Sequence, residues 1–127
     1  MSPNLKNKFF EAKIISGKNL GKTIGYPTIN LDRPEILKGK KRGVYLCRVF
    51  FGNKNYFGLL YFGPRLVLKE KKIILEIYII DFNEEIYGET IRFSLLNYIR
   101  GIMDFADMNE LKKQINNDFA KVRKMIK

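Results

Sequence analysis

The stretch Val44-Tyr-Leu-Cys-Arg-Val-Phe-Phe51 consists almost entirely of residue types that favour β-strands. It is followed by Gly52-Asn-Lys-Asn55, a run typical of a turn, and then by a second strand-forming run from Tyr56 to Phe62. Two such runs joined by a short segment that contains glycine predict a β-hairpin. This hairpin is the clearest structural signal in the sequence.

Further strand-like runs lie on both sides of the hairpin. Residues 9–16 and 28–31 precede it, and residues 73–82 and 89–98 follow it. Short turns separate these runs, and no helical segment of the length that a parallel crossover needs lies between them. The pattern therefore predicts an antiparallel sheet or barrel.

Residues 107–126 are predicted to form the one long helix. Asp107 and Glu110 have the spacing of a capping box at its start. Apolar residues then recur at intervals of three and four, namely Met108, Leu111, Ile115, Phe119, Val122 and Ile126. We expect this stripe to pack on the sheet while the lysines of the segment face water.

The composition is that of one folded domain. Hydrophobic residues make up 46% of the 127 residues, which excludes a disordered chain. We assign residues 1–127 to a single domain with a loose polar tail at residues 1–8. No run approaches the roughly 20 apolar residues of a membrane span, and the first residues lack the apolar stretch of a signal peptide. The single cysteine, Cys47, lies in an apolar run, so we interpret it as a buried hydrophobe and expect a cytoplasmic protein.

The net charge is +11, from 24 Lys and Arg against 13 Asp and Glu. Such a balance is compatible with a nucleic acid or another phosphate-bearing partner. The lysines, however, outnumber the arginines 17 to 7 and are spread over several segments. We therefore interpret much of the charge as a solvated surface rather than a nucleic-acid footprint, and we also expect a monomer.

A glycine-rich stretch is the first candidate for a functional site. Gly17, Gly21 and Gly25 fall four residues apart, and Lys22 lies between them. Glycine can bring bare backbone N–H groups against a ligand, and clustered N–H groups bind phosphate. The stretch matches neither the P-loop nor the dinucleotide fingerprint. On residue types alone, a glycine-rich surface loop is the alternative.

Pro27 opens a short run that ends the glycine-rich stretch. In extended backbone, Thr28 and Asn30 would share a face, because side chains two residues apart point the same way. Their uncharged oxygens suit a hard cation such as Mg²⁺ held beside a phosphate.

Glu76 is the second candidate. Leu75, Ile77 and Ile79 should face one side of its strand, while Glu76 and Tyr78 face the other. A charge in so apolar a setting needs a partner, either a neighbour such as Arg48 or the hydroxyl group of a substrate. The chain has no histidine, so proton transfer at neutral pH must fall to a carboxylate, lysine, tyrosine or cysteine.

The pattern Gly-x-x-x-Gly-Lys-x-x-Gly-Tyr-Pro-Thr-Ile-Asn resembles the signature of riboflavin kinases, which usually has Phe or His before the proline and Ala before the asparagine. The resemblance implies a six-stranded antiparallel Greek-key barrel with one C-terminal helix packed on it. It also implies that this stretch binds ATP and Mg²⁺, with Thr28 and Asn30 at the metal. The implied ATP-binding residues are Gly17, Gly21, Lys22, Gly25, Pro27, Thr28, Asn30 and Tyr87.

The same resemblance extends from about Phe9 to the last helix. Glu76 falls on the family's catalytic glutamate, and Tyr87-Gly88 is similar to the pair that closes the nucleotide pocket. Arg100 and Phe105 are similar to a segment that helps to enclose the flavin, so the implied flavin contacts are Glu76, Arg100 and Phe105. The implied reaction moves the γ-phosphoryl group of ATP to riboflavin and gives FMN. From the residues alone, Tyr87 is as readily interpreted as an aromatic strand residue after a turn. For Arg100, the residues alone favour a surface arginine near a helix start.

Two departures from the family pattern concern the flavin side. The family often has Arg-Pro-Thr where this chain has Gly63-Pro64-Arg65-Leu66-Val67, and Ala106 stands where an acid is common. A catalytically inactive flavin-binding module is therefore one alternative. A small basic β-barrel that binds RNA or single-stranded DNA is the other. We expect FMN and no FAD as the product, because the nucleotide-binding histidines of an adenylyltransferase domain are missing.

Overall fold

Six strands and one helix form the architecture of the part of the chain that the computed structural model describes, residues 8–15, 25–82, 84 and 86–126. The strands are β1 (Phe9–Ile15), β2 (Ile29–Leu31), β3 (Gly43–Phe51), β4 (Lys54–Pro64), β5 (Ile73–Ile79) and β6 (Thr90–Arg100), and the helix is α1 (Met108–Met125). Short 3₁₀ turns at Pro34–Leu37 and Leu66–Leu68 lie in the connections. The predicted tail falls outside the described residues except for Lys8.

The strands close into a barrel in the order β1-β2-β5-β4-β3-β6, and every neighbouring pair is antiparallel. Strands β3, β4 and β5 follow one another along the chain, and β6 then returns to pair with β3. Three consecutive strands with the fourth lying beside the first constitute a Greek key. The predicted Greek-key barrel is therefore confirmed.

The hairpin of β3 and β4 is longer than the residue pattern predicts. Phe51 pairs with Lys54, so the turn consists of Gly52 and Asn53, with Gly52 at a φ of 61°. Such a two-residue turn requires positive φ, which glycine adopts without strain. Strand β5, by contrast, ends at Ile79 and not at Phe82, because Asp81 turns the backbone at a φ of 59°.

Alternate residues of every strand fill the barrel. Leu60, Ile77 and Phe93 are fully buried at its centre. Cys47 is also fully buried, and burial raises the pKa of its thiol, which confirms its interpretation as a small hydrophobe. The backbone alternation thus leaves one face of each strand free to build a site outside the barrel.

Gly58 is required by the packing inside this barrel. A Cβ atom on Gly58 would lie 2.7 Å from Cγ2 of Ile77 and 3.1 Å from Sγ of Cys47. We expect Gly58→Ala to lower the free energy of unfolding by about 1–3 kcal/mol, because the core is overpacked. Denaturant unfolding would measure the loss. Gly101→Ala is the control, since its Cβ would meet only the Tyr98 hydroxyl, at 3.3 Å. Equal stability of the two variants would contradict the packing argument.

The helix α1 covers one outer side of the barrel. Asp107 Oδ1 accepts a hydrogen bond of 2.9 Å from the backbone N–H of Glu110, as the capping pattern predicts. Val122 is fully buried in a second apolar cluster, which contains Val44, Leu46, Leu59, Ile80 and Ile99 of the barrel. One charged residue, Asp118, is buried within the apolar stripe, which the sequence pattern did not predict. No helix among the described residues has the length and apolar character to cross a membrane.

Candidate active site

Glu76 and the end of the glycine-rich stretch meet on the outside of the barrel. Asn30 of β2 pairs with Glu76 of β5, and Thr28 lies just before β2. The Thr28 hydroxyl donates a hydrogen bond of 2.8 Å to Oε1 of Glu76. The two sequence candidates, 48 residues apart, thus belong to one site.

Arg65 joins the same site from the segment between β4 and the second 3₁₀ turn. Its Nη2 donates to Oδ1 of Asn30 at 2.9 Å and lies 3.6 Å from Oε1 of Glu76. The side chain is only 8% exposed. Residue patterns did not identify Arg65, because one arginine after a strand carries no signal of burial.

Arg48 does not form an ion pair with Glu76, so the prediction of Arg48 as the partner of Glu76 is wrong. Arg48 instead donates a hydrogen bond of 2.6 Å to Oδ1 of Asn55 and lies over the Phe57 ring. The reason is the register, which places Arg48 opposite Phe57 and away from β5. Glu76 is partnered by Arg65 and Thr28.

Burial raises the pKa of Glu76, while the Arg65 guanidinium and the Thr28 hydroxyl oppose the rise by stabilising the carboxylate. Its strand neighbour Tyr61 has a pKa raised to about 12, chiefly by burial and then by the Glu76 charge. A carboxylate whose proton affinity exceeds that of an exposed glutamate is suited to accept a proton from a substrate hydroxyl.

A cavity of about 110 Å³ opens beside Glu76, between the barrel and α1. Thr28, Arg65 and Glu76 line one part of it, and Arg100 and Asp118 also contribute. The remaining wall is largely apolar and aromatic, with Tyr26, Val44, Leu59, Tyr61, Tyr78, Met103, Phe105, Leu111 and Ile115. Such a lining, with a few converging polar groups, is typical of a site for a small organic ligand.

Arg100 and Phe105, the predicted flavin contacts, both line this cavity. Arg100 is held by Asp118, with Nε 2.9 Å from Oδ1 and Nη2 2.9 Å from Oδ2. Gln114 donates a further bond of 2.9 Å to Asp118. The guanidinium therefore fastens α1 to the end of β6 and at the same time forms part of the cavity wall. Asp118 continues the 111–115–118–122 spacing of the apolar stripe, and this spacing was the available signal that it is buried.

Other predicted residues lie farther from the cavity or outside the described residues. Gly25 has a φ of 90° and, like Pro27, is exposed at the approach to Thr28. Tyr87 is 48% exposed and is not among the cavity-lining residues. Its role at the nucleotide therefore stays a prediction. Gly17, Gly21 and Lys22 lie outside the described residues.

The oxygens at this site fit magnesium only in part. Thr28 Oγ1, Asn30 Oδ1 and the Glu76 carboxylate are hard donors of the kind that Mg²⁺ prefers. The described residues contain no group of three or more His, Cys, Asp or Glu side chains able to hold a metal ion. The adjacent Arg65 also offsets the charge of Glu76. These donors therefore suit a Mg²⁺ ion that arrives with phosphate oxygens, rather than one held by protein alone.

Known proteins resemble the chain over nearly its whole length. A sequence profile described as riboflavin kinase matches residues 5–126. The RNA-binding riboflavin kinase RibR of Bacillus subtilis is 34% identical over 112 residues, 87% of this chain and 48% of that protein. A bifunctional riboflavin kinase/FMN adenylyltransferase of Buchnera aphidicola is 32% identical over 115 residues, 88% of this chain and 36% of that protein.

The chain thus spans less than half the length of either of these relatives. Among solved structures, riboflavin kinase from Trypanosoma brucei superposes with a TM-score of 0.66 at 22% identity, covering 93% of this chain and 78% of that one. At that identity the likeness concerns the fold alone.

Proposed function

The chain belongs to the riboflavin kinase family, and on that basis we propose that it transfers the γ-phosphoryl group of ATP to the 5′-hydroxyl of riboflavin. The observation that carries the proposal is the position of Glu76, a carboxylate that is 15% exposed, lies at the wall of an apolar cavity and is hydrogen-bonded to Thr28. The proton acceptor, the oxygen donors for a metal ion and the cavity for the flavin ring then lie next to one another.

The cavity between barrel and helix takes the isoalloxazine ring. Its wall offers aromatic and aliphatic surface from Tyr78, Phe105 and Ile115, which suits a planar heterocycle. The ribityl chain then extends towards Glu76, which lies in the same cavity. Arg100 remains paired with Asp118, and both residues form part of the cavity wall. Arg100 therefore contacts the ring as part of this wall.

The phosphates of ATP lie on the other side of Glu76, against the approach formed by Gly25, Pro27 and Thr28. Thr28 and Asn30 would hold Mg²⁺ beside the phosphates, and the ion would neutralise phosphate charge. Arg65 adds a positive charge beside Oδ1 of Asn30. Phosphoryl transfer requires positioning and charge neutralisation more than covalent participation by the protein, so this donor set is sufficient.

The chemical step then uses Glu76 as the proton acceptor. The 5′-oxygen of riboflavin forms a bond to the γ-phosphorus as the bond from that phosphorus to the β,γ-bridging oxygen breaks. The hydroxyl proton passes to the Glu76 carboxylate, and ADP leaves with the bridging oxygen. Burial of Glu76 favours acceptance of the proton, since it raises the pKa of the carboxyl group.

The test is FMN formation by the purified protein. Incubation with riboflavin, ATP and Mg²⁺ should yield FMN and ADP in equal amounts, separated by chromatography. Excess EDTA should stop the reaction, because the donor set described above cannot replace the metal. Riboflavin binding without any FMN would contradict the proposal and leave an inactive flavin-binding module as the function.

A further inference from the structure

Outside the candidate site, the outer surface of β1, β6, β3 and β4 has an unusual composition. In one row across these strands, Phe9 pairs with Ser94, Ser94 with Arg48, and Arg48 with Phe57. In the adjacent row, the order is Glu11, Arg92, Phe50 and Asn55. We call Phe9, Arg48, Phe50, Phe57 and Arg92 the arginine–phenylalanine face.

The arginines of this face stack on its aromatic rings. The guanidinium carbon of Arg48 lies 4.2 Å from the Phe57 ring centroid, and that of Arg92 lies 4.9 Å from the centroid of Phe9. The Phe9 and Phe50 rings meet edge to face at 5.3 Å. These contacts order two guanidinium groups and three rings on the outside of the sheet, in one group of Arg92, Phe9 and Phe50 and one pair of Arg48 and Phe57.

Solvent exposure sets this face apart from an ordinary polar strand face. Phe9 is 49% exposed, and Arg92 beside it is also exposed. The solvated side of an antiparallel sheet normally carries polar residues, whereas this side carries the exposed Phe9 ring next to the half-buried Phe50 ring. The described part of the molecule places no helix on Phe9, since α1 packs near Val44, Leu59 and Ile99 instead.

The charge of the face indicates that its partner is anionic. Across the two rows, two arginines stand against one carboxylate, Glu11, and the whole chain carries +11. A polyanion is therefore attracted, and planar groups of that polyanion can stack on rings and guanidinium planes. Phosphates interleaved with planar bases are the chemistry of a single-stranded polynucleotide.

We propose that the arginine–phenylalanine face binds single-stranded nucleic acid, with bases stacked on Phe9 and Phe50 and phosphates at Arg48 and Arg92. This binding site lies on strand surfaces away from Glu76 and is separate from the kinase reaction. Residue composition alone pointed the other way, because lysines dominate the chain. The pairing of strands collects two of the seven arginines with three phenylalanines on one surface.

The test measures binding of the full chain to a labelled oligouridine of about 12 nucleotides, within the roughly 4–16 that one small barrel domain covers. Fluorescence anisotropy at a series of salt concentrations gives affinity and salt dependence. Phe9→Ala should weaken binding about 5- to 100-fold with the salt dependence unchanged, because stacking carries no charge. The double variant Arg48→Gln/Arg92→Gln should reduce the slope of log K against log salt by about 1.4, or roughly 0.7 per lost phosphate contact.

Lys112→Gln/Lys113→Gln is the matched control, since it removes two charges from the exposed side of α1. It should bind within about twofold of the wild type, because these two lysines lie on α1 and not on the arginine–phenylalanine face. An oligothymidine of equal length distinguishes the two kinds of strand: tighter binding of oligouridine assigns the face to RNA, and equal binding assigns it to either. FMN formation should be unchanged in all these variants.

Three results would overturn the inference. The first is absence of binding by the wild type at low salt. The second is a loss of affinity in the lysine control as large as in the arginine variant, or no loss of affinity in Phe9→Ala. Either result would show that binding depends only on the net charge of the protein. The third is a dimer, detected by sedimentation, that Phe9→Ala dissociates, because the occupant of the face would then be a second copy of this chain.

Discussion

Glu76→Gln is expected to lower kcat/KM for FMN formation by about 10²- to 10⁴-fold, the usual contribution of a positioned general base. Glutamine keeps the size of the side chain and can still accept the hydrogen bond from Thr28, but it cannot take the riboflavin proton. Steady-state kinetics with riboflavin and ATP would measure the loss. Nucleotide binding should persist, because the phosphate contacts belong to other residues.

Two controls separate chemistry from structure in this experiment. Glu35→Gln removes an exposed carboxylate from the first 3₁₀ turn and should leave turnover at the wild-type value. Thermal unfolding of Glu76→Gln establishes that the variant is folded, which matters because Arg65 loses its counter-charge. A folded Glu76→Gln variant that retains more than about a tenth of the wild-type kcat/KM would rule out the proton-accepting role.

Asp118→Ala is expected to lower the free energy of unfolding by about 3–5 kcal/mol, because the Arg100 guanidinium would remain buried without a counter-charge. Arg100 is 14% exposed and Asp118 4% exposed, so neither charge is well solvated. For a domain of this size the melting temperature should fall by roughly 10–20 °C. Flavin binding should weaken as well, since the pair forms part of the cavity wall.

The exposed ion pair on the same helix is the natural comparison for that variant. Lys113 and Glu110 lie 3.4 Å apart and are 75% and 52% exposed, so Glu110→Ala should cost less than about 1 kcal/mol. The double variant Arg100→Leu/Asp118→Leu should recover most of the lost stability, because an apolar pair leaves no charge buried. If Asp118→Ala costs no more than Glu110→Ala, the pair does not fasten the helix.

The fold was predictable because its signals are local. Two runs of β-forming residues around the turn at residues 52–55 indicate a hairpin, and Asp107 with Glu110 marks the helix start that the structure confirms. Strand ends were less predictable, since they depend on backbone turns such as that at Asp81. The pairing of β6 with β3 is a long-range contact, and the family resemblance rather than the residue pattern supplied it.

Residues of the candidate site were predictable when their type is unusual at that place in the sequence. They were not predictable when they join the site from a distant segment of the chain. Glu76 stands out because a charge interrupts an apolar strand, and Thr28 because it belongs to a recognisable run. Arg65 carries no such signal, and Asp118 has only its position in the helical spacing, since the burial of both is decided by how the barrel and helix pack. Arg65, whose charge neutralises that of Glu76, could therefore be identified only from the structure.

A crystal structure of the protein with riboflavin and ADP tests the central claim most directly. The account predicts the flavin ring in the cavity between barrel and α1, with the ribityl 5′-oxygen about 2.6–3.2 Å from the Glu76 carboxylate. A ring bound elsewhere, or a 5′-oxygen directed away from Glu76 with Arg65 still bound to that carboxylate, would contradict it.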